Sequence, residues 1–351
     1  MIEAMGNQIL VGDIGRISTR VLADVTQRTL AGPRNMRLLI TGGAGFIGSN
    51  LADKAIEAGW EVAVLDDLSS GRRENVPAAA EFFQVDIQSA VEVDEAFASF
   101  KPTAVSHQAA QASVAVSVRE PQKDASINLI GSINVMQACV THKVGHLVFA
   151  STGGAIYGEV SDGTRASVST IPLPLSPYAC SKFAVEKYLD CFRHEHGLNF
   201  TVLRYANVYG PRQDPHGEAG VVAIFCNRML ANEPVSVFAR TTVGDPGCVR
   251  DYVFIADVVK ANMAALQGQI PDRVLNVGTG RETNTLQLAE YIRTTLSSKS
   301  EIRYGDRRAG DVERSLLDAD RLAELLGPTV VVTDGLRITA EWFRQRANSV
   351  A

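Results

Sequence analysis

A tyrosine and a lysine stand four residues apart in a segment whose residue types suit proton transfer. Ser176 and Pro177 fit the N-cap and first position of a helix, so Tyr178 and Lys182 are expected one turn apart on the same face. A nearby ammonium group favours the phenolate, and lowering the pKa of a phenol from about 10 to about 7 takes roughly 4 kcal/mol. Such a tyrosine can remove a proton from a hydroxyl group. A lone Y-x-x-x-K also occurs by chance, so its context decides its meaning.

A glycine-rich turn far upstream provides part of that context. Gly42, Gly45 and Gly48 lie between a predicted strand and a helix that opens with Phe46 and Ile47. In this spacing the first glycine permits a tight turn, the second lets a diphosphate approach the backbone, and the third lets helix and strand pack closely. The helix N-terminus then presents free N–H groups and a partial positive charge. The segment is typical of a dinucleotide-binding loop.

An acidic residue at the end of the second predicted strand indicates which dinucleotide is bound. Asp66 lies about 18 residues beyond Gly48, where a carboxylate accepts hydrogen bonds from a ribose 2′-OH and repels a 2′-phosphate. NAD is therefore favoured over NADP, although Arg72 and Arg73 could in principle serve NADP. Asp86, after the next apolar segment, is placed to meet the adenine ring.

Strand and helix patterns alternate along the chain from Met36. Strands are predicted at 37–41, 61–65, 103–107, 146–150 and 200–204, and helices at 46–58, 121–142, 178–196, 285–296, 318–326 and 334–347. This alternation predicts a Rossmann-type doubly wound α/β fold, with a parallel sheet between two layers of helices.

Composition limits the classes of function. The 351 residues are 46% hydrophobic and 21% charged, with a formal net charge of −5, so we expect a packed core. Basic clusters and long apolar runs are lacking, which argues against nucleic-acid and membrane partners. The five cysteines are scattered, as is typical of reduced thiols in a cytoplasmic protein. The histidine spacing gives no reason to expect a metal site.

Residues 1–35 precede the first strong signal and lack the apolar core of a signal peptide. We interpret Met36 as the natural start, with the upstream stretch as an extension that is disordered or not native. A short docking helix is the alternative.

In combination, nine motifs resemble those of the extended short-chain dehydrogenase/reductase family, specifically nucleotide-sugar epimerases of the UDP-glucose 4-epimerase kind. They are TGGAGFIG at 41–48, LDDLSSG at 65–71, HQAAQASV at 107–114, STGGAIYGE at 151–159, YACSK at 178–182, LRYANVYGPR at 203–212, RDYVFIADV at 250–258, NVGTG at 276–280 and RRAGDVERS at 307–315. The resemblance covers nearly the whole chain from Met36. It implies an NAD-binding domain over 36–205 with a return segment near 249–275. It also implies a smaller C-terminal α/β domain for a nucleotide sugar, formed by 206–248 and 276–351.

The resemblance also implies roles for individual residues. Tyr178 is the base, and Lys182 anchors the nicotinamide ribose and tunes the tyrosine. Contacts to NAD are implied for Gly42, Gly45, Phe46, Ile47, Gly48, Asp66, Asp67, Asp86, Ile87, Ala109, Ala110, Tyr178, Lys182 and Tyr205. Contacts to a UDP-sugar are implied for Asn207, Arg250, Arg308, Asp311 and Ser315. A small Ser315 beside the hexose leaves room for an acetamido group, so UDP-GlcNAc and UDP-GalNAc join UDP-glucose and UDP-galactose as expected substrates. An outward-pointing Ser315 would have no such influence.

The chain departs from the family pattern at one position. Relatives usually place a catalytic Ser or Thr four residues before the tyrosine of a Tyr-Gly pair, and Gly153 occupies that place here. Thr152 or Ser151 must then supply the hydroxyl, and we favour Thr152. Alternatively both are structural and Tyr178 works alone.

The same segment argues against neighbouring reactions, because it lacks the Asp-Glu pair of 4,6-dehydratases and the Ser-x-Glu of decarboxylases. We therefore predict C4 epimerisation through a transient 4-keto sugar, with NAD retained between turnovers. A sugar dehydrogenase or reductase releasing reduced cofactor and a non-catalytic NAD-sensing regulator are the alternatives. Because the family usually dimerises through helices matching 121–142 and 178–196, we also expect a homodimer.

Overall fold

The computed structural model describes residues 36–215, 220–308 and 312–350. The predictions for residues 1–35 and for Asp311 lie outside these ranges.

Thirteen strands are present in the described ranges. They are β1 (Arg37–Thr41), β2 (Glu61–Leu65), β3 (Glu81–Phe83), β4 (Ala104–His107), β5 (His146–Thr152), β6 (Phe200–Tyr205), β7 (Asn207–Tyr209), β8 (Val235–Phe238), β9 (Val249–Phe254), β10 (Val274–Val277), β11 (Glu282–Asn284), β12 (Ile302–Gly305) and β13 (Arg314–Ser315). Each of the five predicted strands is confirmed to within two residues.

The helices of these ranges flank the strands. They are α1 (Phe46–Glu57), α2 (Ala90–Phe100), α3 (Val114–Arg119), α4 (Pro121–Asp124), α5 (Gly131–Thr141), α6 (Gly153–Ile156), α7 (Pro177–His196), α8 (Val221–Leu230), α9 (Ile255–Leu266), α10 (Thr285–Leu296), α11 (Asp320–Leu326) and α12 (Val332–Val350). A short 3₁₀ turn covers Arg73–Asn75, and a π-helical segment, Ala125–Ile130, joins α4 to α5. Where the sequence predicts one regular helix over 121–142, the structure therefore has an α–π–α arrangement. Within the described residues, no helix combines the length and apolarity needed to cross a membrane.

Seven parallel strands form the main sheet, in the order β10-β6-β5-β4-β1-β2-β3. The predicted Rossmann-type fold is thus confirmed. The central strands are apolar runs buried on both faces, as parallel sheets require. The strand order reverses between β1 and β4, and in such sheets ligands bind beyond the carboxyl ends of the strands at that point.

Two smaller sheets follow the sixth strand. In one, β9 pairs with β11, β13 and β7, and in the other β8 pairs with β12. Between them the chain returns to the main sheet, because α9 packs against α1, β4 and β5, and β10 pairs with β6. The small sheets are therefore joined to the main sheet by several crossings of the chain. These crossings fix both sides of the groove between the main sheet and the small sheets.

Candidate active site

A cavity of about 1450 Å³ lies along the carboxyl ends of β1, β2, β4, β5 and β6 and reaches the small sheets. Pockets for one small ligand usually measure about 300–1000 Å³, so this one has room for two. Most predicted site residues line it: Gly42, Gly45, Phe46, Ile47, Gly48, Asp66, Asp67, Asp86, Ile87, Ala109, Ala110, Ser151, Thr152, Tyr178, Lys182, Tyr205, Asn207, Arg250 and Arg308. The structure thus brings together side chains predicted from both halves of the chain.

The glycine-rich turn has the shape needed for a diphosphate. Gly42 adopts a φ of +66°, and a Cβ there would lie 2.6 Å from the backbone nitrogen of Ala109. A Cβ on Gly48 would overlap the carbonyl oxygen of Gly42. Gly45 caps α1 without a side chain, and a Cβ at Gly45 would meet only the Gly42 oxygen within 4 Å. The first turn of α1 is therefore open to the cavity, and the residues present fit a dinucleotide.

Asp66 lies at the end of β2 beside this turn. Its carboxylate accepts hydrogen bonds from the backbone N–H groups of Ala44 and Leu68, each at 2.9 Å. Burial raises the pKa of Asp66, and these two hydrogen bonds oppose the shift. The side chain is thus fixed at the cavity wall as an acceptor, which is the property that a ribose hydroxyl requires.

The Tyr–Lys pair lies on α7, which begins as predicted. The hydroxyl of Ser176 accepts a hydrogen bond from the backbone N–H of Ala179 at 3.2 Å, and Pro177 is the first helical residue. Tyr178 is half-buried at the cavity wall. Lys182, one turn later, is 3% exposed.

The Lys182 ammonium group is held against β5. Its Nζ donates to the carbonyl oxygen of Ala150 at 3.0 Å and lies 4.9 Å from the ring centroid of Phe149. Burial lowers the pKa of Lys182 to about 8, against the opposing charge of Asp124. A buried ammonium in this position favours the phenolate form of the neighbouring Tyr178.

The two candidate hydroxyls at the end of β5 have different surroundings. The hydroxyl of Ser151 donates to Glu186 at 2.6 Å, and Ser151 is 3% exposed. Thr152 is 8% exposed and does not belong to this contact. A Cβ at Gly153 would lie 2.5 Å from Cδ1 of Leu317, so a side chain there would require Leu317 to shift.

The small sheets supply the other end of the cavity. Asn207 begins β7, and Arg250 lies on β9 with its guanidinium donating to the carbonyl oxygens of Val249 and Val312. The Arg308 guanidinium carbon lies 3.6 Å from the ring centroid of Phe238, a cation–π contact. Two arginines and an amide therefore line the cavity from the part of the chain that forms the small sheets.

Comparisons with known proteins agree with this geometry. Residues 38–278 match the NAD dependent epimerase/dehydratase family. The chain belongs to this family. A UDP-glucose 4-epimerase of Mycolicibacterium smegmatis is 42% identical over 320 residues, which is 89% of this chain and all of the relative.

Two solved structures resemble the structure of this chain. The UDP-glucose 4-epimerase of Thermus thermophilus, in complex with NAD, superposes with a TM-score of 0.85 at 50% identity, covering 88% of this chain and 99% of the other. The enzyme of Thermotoga maritima, with UDP-glucose, gives a TM-score of 0.83 at 46% identity, covering 89% and 100%.

Ser315 is placed differently from the other predicted residues. It is 3% exposed in β13 and is not among the residues lining the cavity. Its register partner is Arg250, which does line the cavity. Paired residues of neighbouring strands share a sheet face, so Ser315 lies beside Arg250.

Sequence reasoning missed a buried ion pair beneath the site. Arg204 of β6 holds Glu186 of α7 through two N–H···O bonds of 3.0 and 2.6 Å, and both side chains are at most 5% exposed. Arg204 also donates to the hydroxyl of Tyr157 at 2.7 Å. Glu186 is four residues after Lys182 and eight after Tyr178, so the helical spacing could have placed it on the same face.

A buried histidine was missed as well. His107, at the end of β4, contacts the hydroxyls of Thr41 at 2.6 Å and Ser132 at 2.8 Å. Burial, together with the positive charge of Lys182, lowers the pKa of His107 to about 3. A neutral imidazole therefore ties the start of the glycine-rich turn to α5. In the described part of the chain, no group of His, Cys, Asp and Glu side chains could hold a metal ion.

Proposed function

We propose that the protein inverts C4 of a UDP-hexose, UDP-glucose or UDP-galactose, with NAD as a resident cofactor. The observation that carries this proposal is the shared cavity. The Tyr178–Lys182 pair, a glycine turn shaped for a dinucleotide, and the two arginines Arg250 and Arg308 all line this one cavity. Relatives that match over nearly their full length are UDP-glucose 4-epimerases, which supports the same reaction here.

Each part of the cavity then has a separate task. Bound NAD supplies the hydride acceptor and donor for C4 of the sugar. Tyr178 takes the proton of the 4-OH and later returns it, and the buried Lys182 ammonium stabilises its phenolate. We assign the second hydroxyl to Thr152, because that of Ser151 is donated to Glu186. Asp66 receives the adenosine ribose and excludes a 2′-phosphate.

The nucleotide-sugar end holds the part of the substrate that does not react. Arg250 and Arg308 bind the diphosphate and uridine, with Asn207 beside them, and charge-assisted hydrogen bonds make this grip strong. Binding energy from UDP can then retain the 4-keto sugar while the sugar turns over to present its other face. We further propose that N-acetylated hexoses are accepted, since the residue beside Arg250 is the small Ser315.

We also propose a cytoplasmic homodimer. The five cysteines are all free thiols, which suits a reducing compartment. Ile130 and Tyr188, in the π-helical segment and on α7, are 50% and 42% exposed and are candidates for the dimer interface. Val135 of α5 and Val185 of α7 are buried within the subunit. Light scattering after gel filtration tests the dimer by measuring the mass of the protein in solution.

The reaction is tested by NMR on the purified protein with UDP-galactose and, separately, UDP-GalNAc, without added NAD and with absorbance at 340 nm followed in parallel. We expect the C4 epimer to form without NADH accumulation. Accumulating NADH would instead support a dehydrogenase. Binding of NAD without any conversion would support a sensor or another sugar.

Tyr178→Phe is the matched variant for this assay. It removes one hydroxyl and keeps the ring, so we expect the turnover number to fall by about 10²–10⁴-fold while NAD and UDP remain bound. Unchanged turnover would reject Tyr178 as the base.

A further inference from the structure

The loop that follows β7 reaches back to α1, the helix that opens the NAD cradle. Asn50 of α1 donates to the carbonyl oxygen of Pro211 at 3.3 Å and to that of Phe46 at 2.8 Å. Asp53, one turn further along α1, forms an ion pair with Arg212 at 2.7 Å. Residues 210–214, named here the strap, thus lie along the face of α1 that starts at Phe46.

Arg212 is held in an unusual conformation within the strap. Its φ is +71°, a region that residues other than glycine rarely adopt and that is common at ligand clamps. One guanidinium nitrogen, Nη2, contacts Asp53, whereas Nη1 is buried without a hydrogen-bond partner among the described residues. Buried donors without partners are costly. The Arg212 side chain as a whole is 27% exposed and lines the cavity, so an acceptor that enters the cavity can reach its guanidinium group once the side chain turns.

The cavity places that donor near the glycine-rich turn. Arg212 lines the cavity together with Gly45, Phe46 and Ile47. The turn itself, residues 41–48, contains no basic side chain, although a dinucleotide diphosphate carries negative charge.

A second contact anchors the far end of the strap beside the adenosine side of the cradle. Arg72 pairs with Asp214 at 3.6 Å, and both line the cavity. The backbone N–H of Arg72 also donates to the carbonyl oxygen of Ala44 in the glycine-rich turn at 3.0 Å. The strap is therefore connected to both sides of the cofactor cradle.

We propose that Arg212 donates a hydrogen bond to the diphosphate of bound NAD, and that the strap retains the cofactor between turnovers. This inference rests on the proposed function, because a redox-neutral epimerase must keep NAD. A diphosphate is also present in the UDP-sugar, which is the other possible acceptor. The contacts of Asn50 with both Phe46 and Pro211 hold the strap at the first turn of α1 and so assign Arg212 to the NAD diphosphate, which that helix N-terminus faces.

Direct measurement of NAD and UDP binding tests the proposal. Isothermal titration calorimetry on NAD-depleted protein gives the dissociation constant for NAD, and a separate titration gives that for UDP. We compare wild type, Arg212→Ala, Arg212→Lys and Asp53→Asn. Arg165→Ala is the control, since Arg165 forms a comparable surface ion pair with Asp320 and does not line the cavity.

We expect Arg212→Ala to raise the dissociation constant for NAD at least tenfold, as befits a hydrogen bond to a charged group, and to leave that for UDP within twofold. Arg212→Lys keeps the charge but lacks the fork geometry of the guanidinium group, and Asp53→Asn removes the ion pair that tethers Arg212. Both variants should therefore have dissociation constants for NAD between those of wild type and Arg212→Ala. Arg165→Ala should match wild type for both ligands.

An NAD affinity of Arg212→Ala within twofold of wild type overturns the proposal. So does a loss confined to UDP. If Arg212→Ala does not fold, Arg212→Lys and Asp53→Asn decide by the same twofold limit. Failure of the wild type itself to bind NAD would be a failure of the proposed function, which this design separates from failure of the strap.

Discussion

Ser151 Oγ lies 2.6 Å from a carboxylate oxygen of Glu186, which is itself held by Arg204. This contact distinguishes two adjacent hydroxyls that the sequence leaves nearly equivalent. The Ser151 hydroxyl is engaged by a contact below the site, and we therefore propose that Thr152 serves the reaction.

Thr152 and Ser151 should respond differently to substitution by alanine. Thr152→Ala should lower the turnover number by about 10²-fold, because a hydroxyl that assists proton transfer is lost. Ser151→Ala should change turnover less than fivefold and cost about 1.5–3 kcal/mol of unfolding free energy, the value of a hydrogen bond to a charged group. Steady-state kinetics and denaturant unfolding measure the two effects, with Thr152→Ser as the control that keeps activity. The reverse assignment of turnover losses would make Ser151 the catalytic hydroxyl.

Lys182 should lower the folding stability of the protein while it supports the reaction. The buried ammonium has a pKa of about 8, against an ordinary value of 10.5. Below pH 8 its burial therefore costs up to about 3 kcal/mol, and the cost shrinks as pH rises from 8 to 10.5, where the unfolded chain binds the extra proton. Lys182→Met should stabilise the cofactor-free protein at pH 7 and largely abolish epimerisation. Thermal unfolding at pH 7 and pH 10 checks this. A variant less stable than wild type at pH 7 would show that the hydrogen bond to Ala150 outweighs the burial cost.

His107 should make the protein sensitive to acid. Its pKa is lowered to about 3 in the fold, whereas an unfolded histidine titrates near 6.5. Between these values the unfolded chain binds one more proton, so stability falls as pH decreases from 6.5 towards 3, by up to about 5 kcal/mol. His107→Gln keeps a polar side chain at the position of the contacts to Thr41 and Ser132 but does not titrate, so its unfolding free energy should decline less steeply over the same range. Parallel pH slopes for the two proteins would contradict this assignment.

Ser315 should influence the choice of sugar. A tyrosine at this buried position has to extend towards the cavity beside Arg250, its partner in register. We expect Ser315→Tyr to lower the rate with UDP-GalNAc at least tenfold relative to UDP-galactose, and Ser315→Ala to leave the ratio unchanged. Overpacking would also cost about 1–3 kcal/mol, so thermal unfolding accompanies the NMR assay. An unchanged rate ratio in a folded Ser315→Tyr protein would remove Ser315 from the specificity determinants.

The Rossmann half of the fold could be predicted because its strands are continuous apolar runs and its turn carries three spaced glycines. Most of the short strands of the small sheets could not, since two to four residues, as in β13 and β12, show no periodicity. The π-helical segment could not be predicted from local sequence, because its residue Asn128 makes contacts with a residue distant in sequence. Its amide donates to the carbonyl oxygen of Gln111, and its oxygen accepts from the backbone N–H of Gln111.

In the candidate site, too, residues that depend on local sequence could be predicted and those that depend on distant contacts could not. Local motifs placed Tyr178, Lys182 and Asp66 at the cavity, since each depends on neighbours close in sequence. The Glu186–Arg204 pair could not be foreseen with equal ease, because a charged residue on a helix usually faces water and its partner lies 18 residues away on another element. Ser315 was expected beside the sugar, and only the strand register shows that it lies beside Arg250, which lines the cavity while Ser315 does not.

The position of β10 has a consequence for how the protein is made. Its partner β6 ends at residue 205, and residues 206–273 must leave the ribosome before β10 can pair with it. At about 5–20 residues per second, that interval lasts about 3–14 seconds. Throughout it, the nascent chain carries an apolar strand with an open edge, a known template for aggregation. Chaperone demand should therefore peak during synthesis of the small sheets, and a chain truncated before residue 274 would keep that edge open permanently.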